Sequence, residues 1–275
     1  MKSTIFINDL TCLDCAVVNN DGYIEGASFL VTAHLTGDVT SDESVVLDFS
    51  KAKKAIKSLI DGPSGLDHKL LIKKETEVDI ENIDGLSSTL TSTHFNLICP
   101  NDSFQVIDTN IVEYIQKLVE DFYKEEGIKC RIFLDRYSNS ISENAIYFTY
   151  SHGLKKSSAY GCQNIGHGHR SFVEVYDENG DFNYELTEEI ANHFDEKILI
   201  NKENIISQNE KEITIGYDCS RGYYEITYKF PHRWLVLDSE TTIECIGEYI
   251  KQKFDIEGKA LYISEGLQKG ILIYG

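Results

Sequence analysis

The run Phe148-Thr-Tyr-Ser-His-Gly-Leu154, continued by Cys162-Gln-Asn-Ile-Gly-His-Gly-His169, decides how this chain is read. It sets three histidines (His152, His167, His169) and one cysteine (Cys162) within 18 residues. Strand side chains alternate with period two, so His167 and His169, flanking Gly168, project from one face of an extended strand. The glycine between them leaves room for something to sit close to the backbone. His152 closes a second extended run, suited to pair antiparallel with Ser171 to Tyr176, and the loop between carries Cys162. Three neutral imidazoles with an open fourth position are the ligand set of a catalytic zinc. The competing reading is a histidine-bearing hairpin that binds nothing. The third histidine and the loop cysteine favour the metal.

Composition bounds the rest. A chain of 275 residues has length for two ordinary domains. A formal charge of −19 argues against binding a nucleic-acid backbone, which needs basic patches. No apolar run reaches the ~18 residues of a membrane span, and the region around Met1 lacks the apolar segment of a signal peptide. Seven scattered cysteines suit a reducing cytoplasm. Cys12 and Cys15 form a C-x-x-C without a second pair at zinc-finger spacing, and their strand context makes them packing residues.

In chain order, a β-rich stretch from Thr4 to Val18 leads to a turn at Asn19-Asn-Asp-Gly22 and a strand from Ala27 to Leu35. Phe49, Ala52, Ile56, Leu59 and Ile60 fall on one face of a helix, with Asp48 or Ser50 as N-cap and Asp61-Gly62-Pro63 as breaker. Strand-like pieces fill 71–99, a helix covers about 108–126, and a strand spans Lys129 to Leu134. The polar run Tyr137 to Asn144 reads as a linker. The second half repeats this plan. Asp67 to Glu75 aligns with Asp195 to Glu203 at an offset of 128, with six of nine positions identical. A helix (Thr242 to Phe254) and a closing strand (Ala260 to Ile263) follow. The matching order points to an internal duplication. The predicted fold is α+β: two tandem modules, 1–138 and 144–275, each an antiparallel four-stranded sheet with helices on one face.

Phe148-x-x-Ser-His-x-Leu, then Cys162, then His167-Gly-His169 resembles the 6-pyruvoyl-tetrahydropterin synthase and 6-carboxytetrahydropterin synthase family. The family separates its cysteine from the histidine pair by three or five residues; here Gln163 to Gly166 make four. The resemblance implies a tunnelling fold, Zn2+ held by His152, His167 and His169, and Cys162 as proton acceptor. Leu66-Asp67-His68 matches the family's Leu-Asp-His motif, whose Asp and His assist catalysis. Asp beside His orients the imidazole and stabilises its charged form.

The two halves differ where the chemistry lies. Glu25 and Ala27 stand where the second half has His167 and His169, and Phe194-Asp195-Glu196 stands where the first has Leu66-Asp67-His68. His34 reads as a structural or surface histidine. In the family the site lies between subunits, so complementary losses imply that one module brings the metal and the other the Asp-His pair. Thr241-Thr242-Ile243-Glu244 resembles the family's Pro-Thr-x-Glu without the proline, making Thr242 and Glu244 substrate-binding candidates. Glu265 matches the pterin-anchoring glutamate, since a carboxylate accepts two parallel N–H bonds from an amino-pyrimidinone edge. Thr109 and Asp135 are the first-half counterparts of Glu244 and Glu265. Arg170, Lys155 and Lys156 are either phosphate contacts or surface charges. The implied substrate is 7,8-dihydroneopterin triphosphate, handled by a cytoplasmic homo-oligomer. The implied product is 6-carboxytetrahydropterin, of queuosine-type deazapurine synthesis, ranked first on the chain's bacterial-looking Ile-, Lys- and Asn-rich style. The alternatives are the pyruvoyl product, or a non-catalytic pterin binder. The roles of the β-rich insertions 73–100 and 201–236 are left open.

Overall fold

The structure is a computed structural model that describes residues 1–18, 23–42, 44–72, 86–87, 107–138, 141–158, 161–220 and 222–275. The first half opens with a long antiparallel hairpin, β1 (Lys2–Val18) and β2 (Ile24–Asp38). The turn assigned to 19–22 lies outside the described residues. Helix α1 (Phe49–Asp61) starts where its cap predicts: Asp48 accepts the Lys51 N–H at 2.8 Å, and Ala52, Ile56 and Ile60 are buried. β3 (Lys69–Ile72), β4 (Leu86–Ser87), α2 (Ile107–Phe122) and β5 (Lys129–Asp135) follow. Most of the insertion 73–100 lies outside the described residues.

The second half runs β6 (Ile146–His152), β7 (His167–Tyr176), α3 (Tyr184–Phe194), β8 (Lys197–Asn201), β9 (Ile205–Gln208), β10 (Ile213–Cys219), β11 (Gly222–Tyr228) and β12 (Trp234–Leu237). It ends with α4 (Ile243–Lys253), β13 (Ala260–Glu265) and β14 (Lys269–Tyr274). The class is α+β, with four α-helices among the described residues. No helix there is long and apolar enough to cross a membrane.

The first sheet has the order β3-β1-β2-β5, and β8-β6-β7-β13 repeats it inside a second sheet, β12-β8-β6-β7-β13-β14. Two expectations need correction. The second sheet has six strands because β12 and β14 extend its edges. Neither sheet is purely antiparallel: β3 runs parallel to β1, and β8 parallel to β6 and β12. The cause is where the third strand joins: β3 and β8 run opposite to β2 and β7, which precede them, but each adds on the far side of the hairpin, beside β1 or β6, whose direction it shares.

Alternation along β1 builds two interfaces from one strand. Leu13 and Cys15 join a core with α1 and α2, while Ala16 and Val18 join a second core shared with the other half. A third core packs α3 and α4 on the second sheet. The shared core holds residues of β1, β3, β8 and the hairpin β10–β11, whose sheet has the order β4-β11-β10-β9. The insertion 201–236 is therefore a packed element that clamps the two halves.

The halves meet backbone to backbone. A Cβ on Gly26 would lie 2.2 Å from the Tyr150 carbonyl oxygen and 2.4 Å from that of His169. Gly26→Ala is expected to cost about 1–3 kcal/mol, as overpacking does, read as a lowered urea midpoint with unchanged slope. Wild-type stability in that variant would show that the halves separate easily.

Register relates the halves residue by residue. Lys69 pairs with Cys15 as Lys197 pairs with Tyr150, and Gly26 pairs with Ala16 as Gly168 pairs with Ser151. Val17, Glu25 and Ala27 thus occupy the positions of His152, His167 and His169. The pairing also corrects one expectation: Val31 meets Leu134 as Val173 meets Ile263, so Asp135 answers to Ser264, and Arg136 to Glu265. Counting from a strand's end misplaces it by one; hydrogen-bonded pairing does not.

Candidate active site

The three candidate metal ligands meet at the end of the β6–β7 pair. His152 stands directly opposite His167, and His169 opposite Tyr150. All three histidines are buried, at 1%, 0% and 0% exposure. His152 Nδ1 lies 2.8 Å from the Thr241 carbonyl oxygen, and His167 Nδ1 lies 2.7 Å from that of Asn164. A carbonyl only accepts, so in both rings Nδ1–H donates and the Nε2 lone pair is left free. His169 Nδ1 is 3.3 Å from Asp14 Oδ1, within ion-pair reach but off hydrogen-bond alignment. The inward nitrogens converge, with His152 Nε2 and His169 Nε2 3.1 Å apart. His167 Nε2 is buried without a partner.

This donor set fits zinc. Nitrogens bound tetrahedrally at 2.0–2.1 Å stand about 3.3 Å apart. Burial, then the neighbouring histidines, lower the pKa of His152 to about 3 and that of His167 well below its ordinary value, so both rings are neutral donors. A second group, His68, Cys162 and His167, also brings its ligand atoms within 4.8 Å of one another, as the three histidines do. The groups share His167, so they describe one buried pocket. In the three-imidazole set the His152 and His169 Nε2 atoms stand 3.1 Å apart, near the spacing of tetrahedral zinc ligands.

The first half brings Asp67 and His68 to the same place. Asp67 Oδ2 lies 2.6 Å from His68 Nδ1, and the opposite nitrogen, Nε2, lies 3.4 Å from Cys162 Sγ. Burial alone lowers the His68 pKa, but bonds to Asp67 and Cys162 and their charges outweigh it and hold the value well above normal. His68 has φ 54°, and Glu196, its counterpart, has φ 57°. Both halves make the same left-handed turn, with a histidine in one and a glutamate in the other. The His68 ring centroid is 4.9 Å from that of His167 and 5.8 Å from that of His169. Metal set, cysteine and Asp-His pair therefore meet within one chain.

The Cys162 loop is held by the insertion. Tyr217 Oη donates to the Gln163 carbonyl at 3.0 Å, Ser220 Oγ to Gln163 Oε1 at 2.6 Å, and Tyr224 Oη to Asn164 Oδ1 at 2.7 Å. Asn164 Nδ2 in turn donates to the His68 carbonyl at 2.5 Å. Asn164, Thr241, Asp14 and Ser28 were missed by sequence reasoning. For Asp14, Ser28 and Thr241 the signal is tertiary, since each touches the site across a long chain separation; Asn164 lies three residues from His167 and also reaches His68 across the halves.

The substrate candidates divide. Glu265 ends β13 with its side chain 13% exposed, and its carboxylate meets Lys269 Nζ at 3.0 Å. Burial raises its pKa, yet His169, His152 and Lys269 bring the net below the ordinary value. Thr242 caps α4, accepting the Cys245 N–H at 3.4 Å, and Glu244 lies exposed in the first turn. Arg170 stacks on Tyr147, 4.1 Å from the ring centroid. Lys155 is exposed, and Lys156 is within 3.5 Å of Glu240. His34 packs between the rings of Phe6 and Phe133. Asp135, exposed at the end of β5, accepts the Tyr137 N–H at 2.8 Å. The Thr109 side chain lies outside the described residues.

At the pseudo-equivalent position, Arg233 is buried between the halves. Its Nε donates to the Glu196 carbonyl at 2.6 Å, its Nη2 to the Ile24 carbonyl at 2.5 Å, and it covers the Tyr23 ring at 3.6 Å. Where the metal set has its counterpart, the molecule has a clamp.

No family model matches this chain, and no curated protein matches it. Among solved structures, a catalytic-residue mutant of Plasmodium vivax 6-pyruvoyltetrahydropterin synthase overlaps at 17% identity with a TM-score of 0.36. That overlap covers 51% of this chain and 94% of the other. The unmutated Plasmodium vivax enzyme gives 16% identity and a TM-score of 0.33 over the same shares. Overlap that loose carries no weight on activity, which rests on the atoms of the site.

Proposed function

We infer that this chain is a zinc-dependent lyase that converts 7,8-dihydroneopterin triphosphate to 6-carboxytetrahydropterin. The observation behind it is the convergence of three inward imidazole nitrogens with a Cys162–His68–Asp67 chain, 3.4 Å from sulfur to nitrogen and 2.6 Å from nitrogen to carboxylate. His152, His167 and His169 would hold the ion, which supplies Lewis acidity that lowers the pKa of side-chain hydroxyls and polarises a developing carbonyl.

The rest belongs to the chain. Cys162 accepts the proton leaving a side-chain carbon, and His68 Nε2 stands on its other side to take or return that proton. Asp67 keeps the His68 ring turned toward the sulfur and stabilises its charged form. Glu265 anchors the amino-pyrimidinone edge through two parallel N–H bonds, with Lys269 steadying the carboxylate. The halves, 1–138 and 144–275, are read as duplicated copies that do within one chain what a pair of subunits does in the family. The first copy kept the acid-base pair and the second kept the metal.

The test is direct. Zinc-loaded protein is incubated with 7,8-dihydroneopterin triphosphate, and the pterin, triphosphate and acetaldehyde are measured. Release of acetaldehyde marks the carboxy product; triphosphate alone marks the pyruvoyl product. An unchanged substrate retained on the protein sinks the lyase reading in favour of a pterin-binding role. Glu265→Ala is expected to weaken substrate binding about 10- to 100-fold, the loss of one charge-assisted hydrogen-bonded contact, in equilibrium titration. Unaltered binding would remove Glu265 from the anchor role.

A further inference from the structure

We propose that Asp14 is a positioning residue of the metal centre, supplied by the opposite half of the chain, that turns His169 toward the ion and ties it to the acid-base pair. This rests on the zinc reading above and assigns a role to a residue outside the ligand set. Asp14 lies on β1 and is 2% exposed. Its Oδ1 stands 3.3 Å from His169 Nδ1, on the side of the ring away from the nitrogen that faces His152. A carboxylate behind a metal-bound imidazole fixes its tautomer and orientation and raises its basicity. His152 and His167 have backbone carbonyls in that place, so His169 alone of the three has a charged partner.

The carboxylate is itself held. Ser28 Oγ donates to Asp14 Oδ1 at 2.5 Å and accepts the Arg170 N–H at 2.9 Å. Arg170 follows His169, so one hydroxyl pins both the carboxylate and the backbone beside the ligand. Cys12 Sγ lies 3.6 Å from the same oxygen. A Cβ on Gly266 would fall 2.6 Å from Asp14 Oδ1, so the turn after Glu265 closes over the group.

The main chain of Asp14 serves the acid-base pair. Its N–H donates to Asp67 Oδ1 at 3.0 Å, and its carbonyl accepts the His68 N–H at 2.5 Å. Rotation of His169 and placement of His68 thus depend on the same residue. By register, Thr149 stands at this position in the second half, where its N–H meets Asp195 Oδ1 at 2.8 Å. The backbone device recurs in both halves, but the buried carboxylate occurs only opposite the histidines.

The experiment uses the full chain, stripped of metal, with zinc affinity measured by chelator competition and the visible spectrum recorded after cobalt(II) loading. Asp14→Asn keeps the shape and removes the charge. It is expected to weaken zinc about 10- to 100-fold, as loss of an outer partner of a metal ligand does, and to shift the cobalt bands. Glu196→Gln, at the clamp between the halves, should match wild type in both readouts and so separates the role of Asp14 from general loosening of the interface. Wild-type affinity and spectrum in Asp14→Asn would overturn the proposal while leaving the zinc reading standing. A wild-type protein that takes up neither ion overturns both. Should Asp14→Asn fail to fold, Ser28→Ala decides: weaker zinc supports the proposal, and wild-type affinity overturns it.

Discussion

His167→Ala is expected to leave the chain unable to hold zinc tightly, whereas the unaltered protein is expected to carry about one zinc per chain, because a catalytic zinc needs three protein ligands. His167 is the member common to both candidate groups, and its Nε2 is a buried nitrogen without a hydrogen-bond partner among the described residues. Its loss therefore defeats either arrangement. His34→Ala should leave the metal in place, since that ring lies between Phe6 and Phe133. Elemental analysis of the purified variants reads the outcome. Two zinc ions per chain would contradict the asymmetry, because Val17, Glu25 and Ala27 stand where the second set would have to be.

The second large effect is on turnover. Cys162→Ala and His68→Ala are each expected to slow the reaction on the order of 10²–10⁴-fold, the usual range for an acid-base group, with zinc retained in both. The double variant should be little slower than the worse single one, because groups that act as a unit are not additive. With Cys162 Sγ 3.4 Å from His68 Nε2 in the same chain, mixing the two single variants should restore nothing. Restored activity on mixing would mean that the working pair spans two chains. Loss of zinc in Cys162→Ala would move the ion to the set formed by His68, Cys162 and His167.

Much of the molecule was legible in its residues, for local reasons. Period-two placement predicts His167 and His169 on one side of a strand, and Asp48 with Gly62-Pro63 bounds α1 to within a residue. The aligned Asp67 and Asp195 segments foretell the recurring turn, seen in the matching φ of His68 and Glu196. These features depend on neighbours a few positions away, which a sequence displays. The edges of the second sheet, the parallel pairings and the packed insertion were not legible, because β-type residues do not say which strand they will join.

The same limit applies to the site. Residue types and spacing pointed to the three candidate metal ligands, and a family resemblance added Asp67 and His68. Only the tertiary structure decided that Asp67 and His68 reach Cys162 within one chain, across a separation of |i−j| = 94 between His68 and Cys162. It also decided that Asp14, Ser28, Asn164 and Thr241 stand behind the histidines and the acid-base pair. Ligands are chosen by chemistry, which is written in residue type. The groups that orient them need only an oxygen in the right place, and that place exists once the two sheets have packed, with Gly26 against Gly168.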